Sequence, residues 1–122
     1  MLYVEDNENL RCIVAGYLGQ FGYIVETAAD GAEGWVKFSQ DRFYLMITDL
    51  QMPNVDGFGL IRQVRESCRP VRIIVHSSAL TEPVKEELHT LAVDATVHKE
   101  SSIAGLRATL EMVARLPALP AD

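Results

Sequence analysis

Cysteine is scarce: Cys12 and Cys68 are the only two among 122 residues. That number cannot build a disulfide framework, and the pair lacks metal-ligand spacing. Both read as free thiols of a reducing, cytoplasmic compartment. Basic residues are outnumbered, 11 against 17 acidic ones, for a net charge of −6. This excludes a chain-wide basic footprint of the kind nucleic acid requires. No apolar run reaches the ~18 residues that mark a membrane span, so no membrane insertion is expected. The N-terminus has no positively charged segment leading into an apolar stretch, so secretion is not indicated. Internal repeats and low-complexity tracts are lacking too. The three histidines, His76, His89 and His98, have no metal-site spacing and read as surface or rim residues.

What is present is the composition of one ordinary globular domain, 48% hydrophobic and 23% charged. A chain of this length buries a core unaided. Short apolar runs alternate with helical patterns. The runs are Leu2-Tyr3-Val4, Tyr23-Ile24-Val25, Phe43 to Ile47, Val71 to Val75 and Ala95-Thr96-Val97. Each is rich in β-branched or aromatic residues, as expected of strands buried on both faces. Between them, Leu10, Ile13, Val14, Tyr17, Leu18 and Phe21 recur with the period of an amphipathic helix. Asn7 is its expected cap and Gly22 its expected end. Ala32, Trp35, Val36 and Phe38 mark a second helix, with Trp35 read as a packing residue. Leu60, Ile61, Val64 and Cys68 mark a third, closed by Pro70. Val84, Leu88 and Leu91 mark a fourth, with Thr81 as cap and Pro83 tolerated in its first turn. Ile103, Leu106, Leu110 and Val113 mark a fifth.

Strict β-α alternation repeated five times implies an α/β fold, a parallel sheet with helices on both faces. Five strands fit the doubly wound, flavodoxin-like order 2-1-3-4-5, in which ligands bind beyond the carboxyl ends of the strands. Strand one ends in Glu5-Asp6, strand three in Thr48-Asp49, strand four in Ser77-Ser78 and strand five in Lys99. Three carboxylates, a hydroxyl and an ammonium thus converge on one edge. Two like charges ~4 Å apart repel by about 4 kcal/mol at an effective dielectric of ~20, so the cluster calls for a cation. Mg²⁺ takes oxygen ligands and leaves room for a phosphoryl group. Aspartate is a competent covalent acceptor of phosphate, and a metal with a lysine neutralises the oxygens as the group moves. Asp49, aimed by the central strand, is the expected acceptor. Glu5 and Asp6 are the expected metal holders, Ser77 a hydroxyl donor and Lys99 a mobile positive charge.

The residues Val4-Glu5-Asp6-Asn7, Asp49-Leu50-Gln51-Met52-Pro53 with Asp56-Gly57, Ser77 and Lys99 carry a resemblance. Together they resemble the response-regulator receiver domain of two-component phosphorelay signalling. The likeness covers residues 1–115, and 116–122, with Pro117 and Pro120, remain as a linker-like or frayed tail. It implies that Asp49 takes a phosphoryl group from the phosphohistidine of a histidine kinase or phosphotransfer protein. It implies Mg²⁺ held by Asp6, Asp49 and the backbone carbonyl of Gln51, with Glu5 supporting through water. Ser77 and Lys99 would grip the phosphate, and the surface of helix four, strand five and helix five would change shape. Such a domain is not an enzyme for a separate substrate; it catalyses its own phosphorylation and dephosphorylation.

Some positions depart from that family's pattern. Lys99 is followed by Glu100 where the family usually has proline after a cis bond. A cis bond before a non-proline costs about 3 kcal/mol, so a trans bond and an altered loop are expected. Thr96 stands where an aromatic residue is common, which puts the aromatic part of the switch in question; Ser77 replaces the commoner threonine. A pseudo-receiver that signals without phosphate is a competing reading, opposed by the intact Asp6, Asp49, Ser77 and Lys99. A flavin protein of the same strand order is another, opposed by Glu5-Asp6-Asn7-Glu8, which would repel a flavin phosphate. Met1 directly on strand one, with the proline-containing tail, suggests a domain of a longer protein such as a hybrid histidine kinase. Finally, His76 precedes Ser77 and His98 precedes Lys99. Period-two alternation is expected to turn both imidazoles toward a common side near helix four.

Overall fold

The computed structural model describes residues 1–117 and 119. The elements alternate as β1 (Leu2–Val4), α1 (Glu8–Gln20), β2 (Glu26–Ala28), α2 (Gly31–Gln40), β3 (Leu45–Thr48), α3 (Gly57–Glu66), β4 (Arg72–Ser77), α4 (Glu82–Thr90), β5 (Ala95–His98) and α5 (Ile103–Ala114). All strand pairs are parallel, in the order β2-β1-β3-β4-β5. Every helix begins at a side-chain cap. Asn7, Asp30, Asp56, Thr81 and Ser102 accept from the backbone N–H of Leu10, Glu33, Gly59, Val84 and Gly105. Each such cap stabilises by about 1 kcal/mol. Pro83 occupies the first turn of α4, where its missing N–H costs nothing. Gly22, with φ 91, turns the chain after α1.

The sheet separates two apolar layers, because successive strand residues point to opposite faces. On one side Leu2, Val4, Met46, Ile73 and Val75 pack with Phe38, Leu60, Ile61, Val64 and Leu88 of α2, α3 and α4. On the other, Tyr3, Leu45, Ile47, Ile74 and Val97 pack with Val14, Leu18, Leu106, Leu110 and Val113 of α1 and α5. Burying each such large side chain contributes about 1.5–3 kcal/mol relative to leaving it in water.

Several expectations shift. The second strand is Glu26–Ala28, not Tyr23-Ile24-Val25. Leu2, Tyr3 and Val4 pair with Glu26, Thr27 and Ala28, while Ile24 is 85% exposed on the approach. β2 is an edge strand, so backbone pairing places it without an apolar stripe of its own. Ile13 lies on the exposed side of α1. Cys68 belongs to no helical stripe: α3 stops at Glu66, and Cys68 is exposed in a left-handed turn with φ 58. In α2 the buried positions are Gly31, Gly34 and Phe38, whereas Ala32 and Val36 face outward. Trp35 is partly buried and stacks on Phe38, as a packing residue should. The Lys99–Glu100 peptide is trans. Of the expected tail, residues 118 and 120–122 lie outside the described residues.

Two glycines test this packing in opposite directions. A Cβ on Gly57 would overlap the Asp49 carbonyl and stand 2.6 Å from Leu50 Cα, with backbone on both sides. Gly57→Ala is therefore expected to destabilise by more than about 2 kcal/mol. Gly16, in α1, has open space around its Cα. Gly16→Ala is expected to gain about 0.5–1 kcal/mol from helix propensity alone. Urea melts of both variants measure the two signs.

Candidate functional site

Period two and the strand register build the site. Tyr3 and Glu5, Ile47 and Asp49, Ile74 and His76, and Val97 and Lys99 are pairs two residues apart. The first member of each, Glu5's pair included, belongs to the layer shared with α1 and α5. Each second member therefore emerges on that face at the carboxyl end of its strand. Thr48 pairs with Val75, so continuing the register sets Asp49 beside His76. The Asp49 N–H donates to the Val4 carbonyl at 3.2 Å, which extends the β1–β3 ladder up to the site.

Lys99 reaches back across this edge. Its Nζ lies 2.7 Å from Asp49 Oδ2 and 2.8 Å from Glu5 Oε1. The other Asp49 oxygen accepts from the Leu50 N–H at 2.7 Å, and Glu5 Oε2 accepts from the Asn7 N–H at 3.1 Å. Arg11, from α1, donates to the Glu5 carbonyl at 2.9 Å. Asp6 completes the group: carboxylate oxygens of Glu5, Asp6 and Asp49 lie within 4.8 Å of one another. Glu5 and Asp49 are buried while Asp6 is exposed at the mouth.

One ammonium thus serves two buried carboxylates, with a third close by, and the pocket keeps an excess of negative charge. Burial pulls the Lys99 ammonium down, yet its bonds to Asp49 and Glu5 outweigh this and hold it above its ordinary value. Burial also pushes Glu5 up, against the pull of Lys99 and the Asn7 N–H. Hard oxygen donors with surplus negative charge, one of them open to solvent, fit a small divalent cation such as Mg²⁺.

The remaining expected residues flank this core. Ser77 is fully buried at the end of β4, its Oγ accepting from the Ala79 N–H at 3.1 Å. The Ser77 carbonyl accepts from the Lys99 N–H at 3.1 Å, which joins the two strand ends. Gln51 lies in the exposed loop after Leu50. That loop closes on itself through the Gly57 N–H, which donates to the Leu50 carbonyl at 3.0 Å. The direct Glu5–Lys99 ion pair was not expected from the sequence. Its only signal there is a single lysine opposite several strand-end acids.

His76 is no rim residue: it is 4% exposed. Nor do the two histidines share a side. His76 pairs with Val97 and Ser77 with His98, so a one-residue offset sends the imidazoles to opposite faces. Desolvation, followed by the nearby Lys99 ammonium, lowers the His76 pKa to about 4. The unfolded chain takes up this proton near pH ~6.5, so stability falls as pH drops from there toward the folded value, by up to about 3 kcal/mol. Among the described residues His76 Nδ1 is buried without a hydrogen-bond partner, so an apolar replacement takes no bond from another group at that nitrogen. His76→Leu is expected to keep neutral-pH stability and to flatten the loss between pH 6.5 and 4. Urea midpoints measured across that range check it, and an unchanged acid limb would clear His76 of causing it.

The family model of the response regulator receiver domain matches residues 1–111. The sensor protein EvgS of Escherichia coli O157:H7 is 41% identical over 66 residues, covering 54% of this chain and 6% of that protein. The transcriptional regulatory protein RprY of Bacteroides fragilis is 31% identical over 116 residues, 94% of this chain and 49% of RprY. The chain therefore spans about half or less of the length of these curated relatives. Among solved structures, the response regulator protein TrrA from Thermotoga maritima in complex with Mg²⁺-BeF superposes with a TM-score of 0.81. It is 26% identical, over 92% of this chain and 96% of that one. The match over residues 1–111, the strand order and the acids gathered with a lysine at the strand ends lead to one conclusion: the chain belongs to the response regulator receiver domain family of two-component signalling.

Proposed function

We propose that this domain is a phosphoacceptor: Asp49 takes a phosphoryl group from the phosphohistidine of a histidine kinase or phosphotransfer protein. The observation that carries the reading is the Asp49 carboxylate itself. It is buried, fixed at one oxygen by the Leu50 N–H and at the other by the Lys99 ammonium, and adjoined by Glu5 and Asp6. In the transfer, an Asp49 oxygen attacks phosphorus while the P–N bond breaks. The leaving imidazole keeps the bonding electron pair, and the product is an acyl phosphate. There is little covalent work for the protein beyond positioning and charge stabilisation. The Leu50 N–H orients the nucleophile. Lys99 carries a full positive charge to the place where phosphoryl oxygens arrive, and the Ser77 hydroxyl can donate to them from the next strand.

Asp6, Asp49 and the Gln51 carbonyl would hold Mg²⁺, with Glu5 supporting through water, and the bound ion would neutralise charge on the phosphoryl oxygens. The donor chemistry and the TrrA complex with Mg²⁺-BeF support that assignment. Coupling to the surface runs through Lys99. Its side chain holds Asp49, its N–H holds the Ser77 carbonyl, and Ser102, three residues on, caps α5. A phosphoryl group at Asp49 competes for the ammonium and so shifts the β5–α5 loop, biasing the α4–β5–α5 surface. Thr96 is exposed on β5, so this coupling works without an aromatic side chain there.

Asp49→Asn is nearly isosteric but cannot form the acyl phosphate. It is expected to keep the fold and to abolish addition of a phosphoryl group from acetyl phosphate, as read by intact-mass spectrometry. Undiminished addition would mean that another residue is the acceptor.

Binding that favours the folded state stabilises by about 2.7 kcal/mol at a hundredfold excess over Kd. Millimolar Mg²⁺ is therefore expected to raise the melting temperature of the parent, and Asp6→Ala to erase most of that gain. A parent melting curve indifferent to Mg²⁺ would remove the metal from the scheme.

A further inference from the structure

The segment from Leu50 to Asp56 carries the Gln51 carbonyl and follows directly on Asp49. Its ends are already closed by the Gly57–Leu50 hydrogen bond. Its flank rests on the β2–α2 turn: a Cβ on Gly31 would overlap the Val55 carbonyl, so the two backbones are in contact there. Beside that contact, Asn54 Nδ2 donates to Asp30 Oδ2 at 2.9 Å, while Asp30 Oδ1 accepts from the Glu33 N–H at 2.8 Å and caps α2. Asn54 holds φ 67, in the left-handed region that asparagine and aspartate tolerate better than most residues. Asp30 is held below its ordinary value, first by the Glu33 N–H and then by the Asn54 amide. The acceptor is a carboxylate, so the bond is charge-assisted.

We propose that Asp30 and Asn54 are positioning residues whose hydrogen bond latches this loop to the start of α2, and that the latch sets the affinity of the site for Mg²⁺. The inference rests on the reading of Gln51 and the acidic cluster given above. Asp30 takes its bonds from Glu33 and Asn54, away from Asp49 and Lys99, so the pair acts through the loop backbone. A loop anchored only at its ends must be ordered when its carbonyl becomes a ligand. A loop also pinned at Asn54 enters binding already ordered, and the ligand no longer offsets that cost. One hydrogen bond of this kind corresponds to a change of about threefold to tenfold in affinity.

Two variants separate the bond from its surroundings. Asn54→Gly keeps access to the left-handed region and removes the amide. The double variant Asp30→Asn with Asn54→Asp exchanges donor and acceptor. It preserves net charge, keeps a capping residue for α2 and keeps position 54 tolerant of its φ. Isothermal titration calorimetry with MgCl₂ gives Kd for parent and variants, and hydrogen exchange of the Gln51 to Val55 amides is followed in Mg²⁺-free protein. Asn54→Gly is expected to weaken Mg²⁺ binding by about threefold to tenfold and to speed exchange of those amides. The double variant is expected to return both to within about twofold of the parent. Parental Kd and exchange in Asn54→Gly would overturn the latch while leaving the metal site intact. A double variant as weak as Asn54→Gly would overturn it equally. A parent that takes up no Mg²⁺ would bring down the metal reading and the latch with it.

Discussion

Lys99 holds together two carboxylates that the sheet brings side by side and whose like charges would otherwise drive them apart. Parallel strands lie about 4.8 Å from one another, so acids at the same height on neighbouring strands meet at close range. Glu5 and Asp49 are such a pair, both buried, and the Lys99 ammonium lies within 2.8 Å of each. Removing charges from water costs several kcal/mol per ion, and only a well-placed opposite charge offsets it. The arrangement is nevertheless short of positive charge, because Asp6 adds a third carboxylate. A pocket that is folded but undercompensated is suited to take and release a cation or to rearrange when one carboxylate is modified.

The rest of the molecule explains how that pocket stays in place. Below it, β1, β3 and β4 carry apolar residues on both faces, and two helix layers bury them. At the carboxyl edge the pattern breaks: Glu5, Thr48, Asp49, His76 and Ser77 are polar and still buried. Local sequence rules for a buried strand would place valine or isoleucine at such positions, and their violation sets this edge apart as the candidate site. The loops above the edge are held by backbone proximity more than by side-chain packing. Gly57 against Asp49 and Leu50, and Gly31 against Val55, leave no volume for a side chain. Asp49 is thus clamped from the loop side by backbone and from the sheet side by Lys99.

Much of this is legible in the order of residues. Alternating runs and amphipathic stretches identify five strands and five helices, and the caps at Asn7 and Thr81 hold as expected. The strand-end chemistry was legible as well, because residues that follow an apolar run at each carboxyl end must meet once the order 2-1-3-4-5 is adopted. Elements that lack large apolar side chains leave little pattern in the sequence. β2 lacks an apolar stripe because it is an edge strand, so the eye is drawn to Tyr23-Ile24-Val25 just before it. The buried face of α2 contains Gly31 and Gly34, which a search for large apolar residues passes over.

The βα alternation, the topology and the chemical identity of the groups at the strand ends are written in the order of residues along the chain. Those follow from local patterning and from the few ways in which a parallel sheet can be wound. The partners of those groups are set only once the strands are assembled. Periodicity tells on which of two faces a residue lies within its own strand, but not how that strand is registered against the next. The β4–β5 register sets Ser77 against His98 and His76 against Val97. That one-residue offset buries His76 beside Asp49, turns His98 to the other face, and puts Lys99 at the height from which its ammonium reaches Glu5 and Asp49 together. Register is fixed by the sum of long-range backbone hydrogen bonds and loop closures, and no single stretch of sequence contains it.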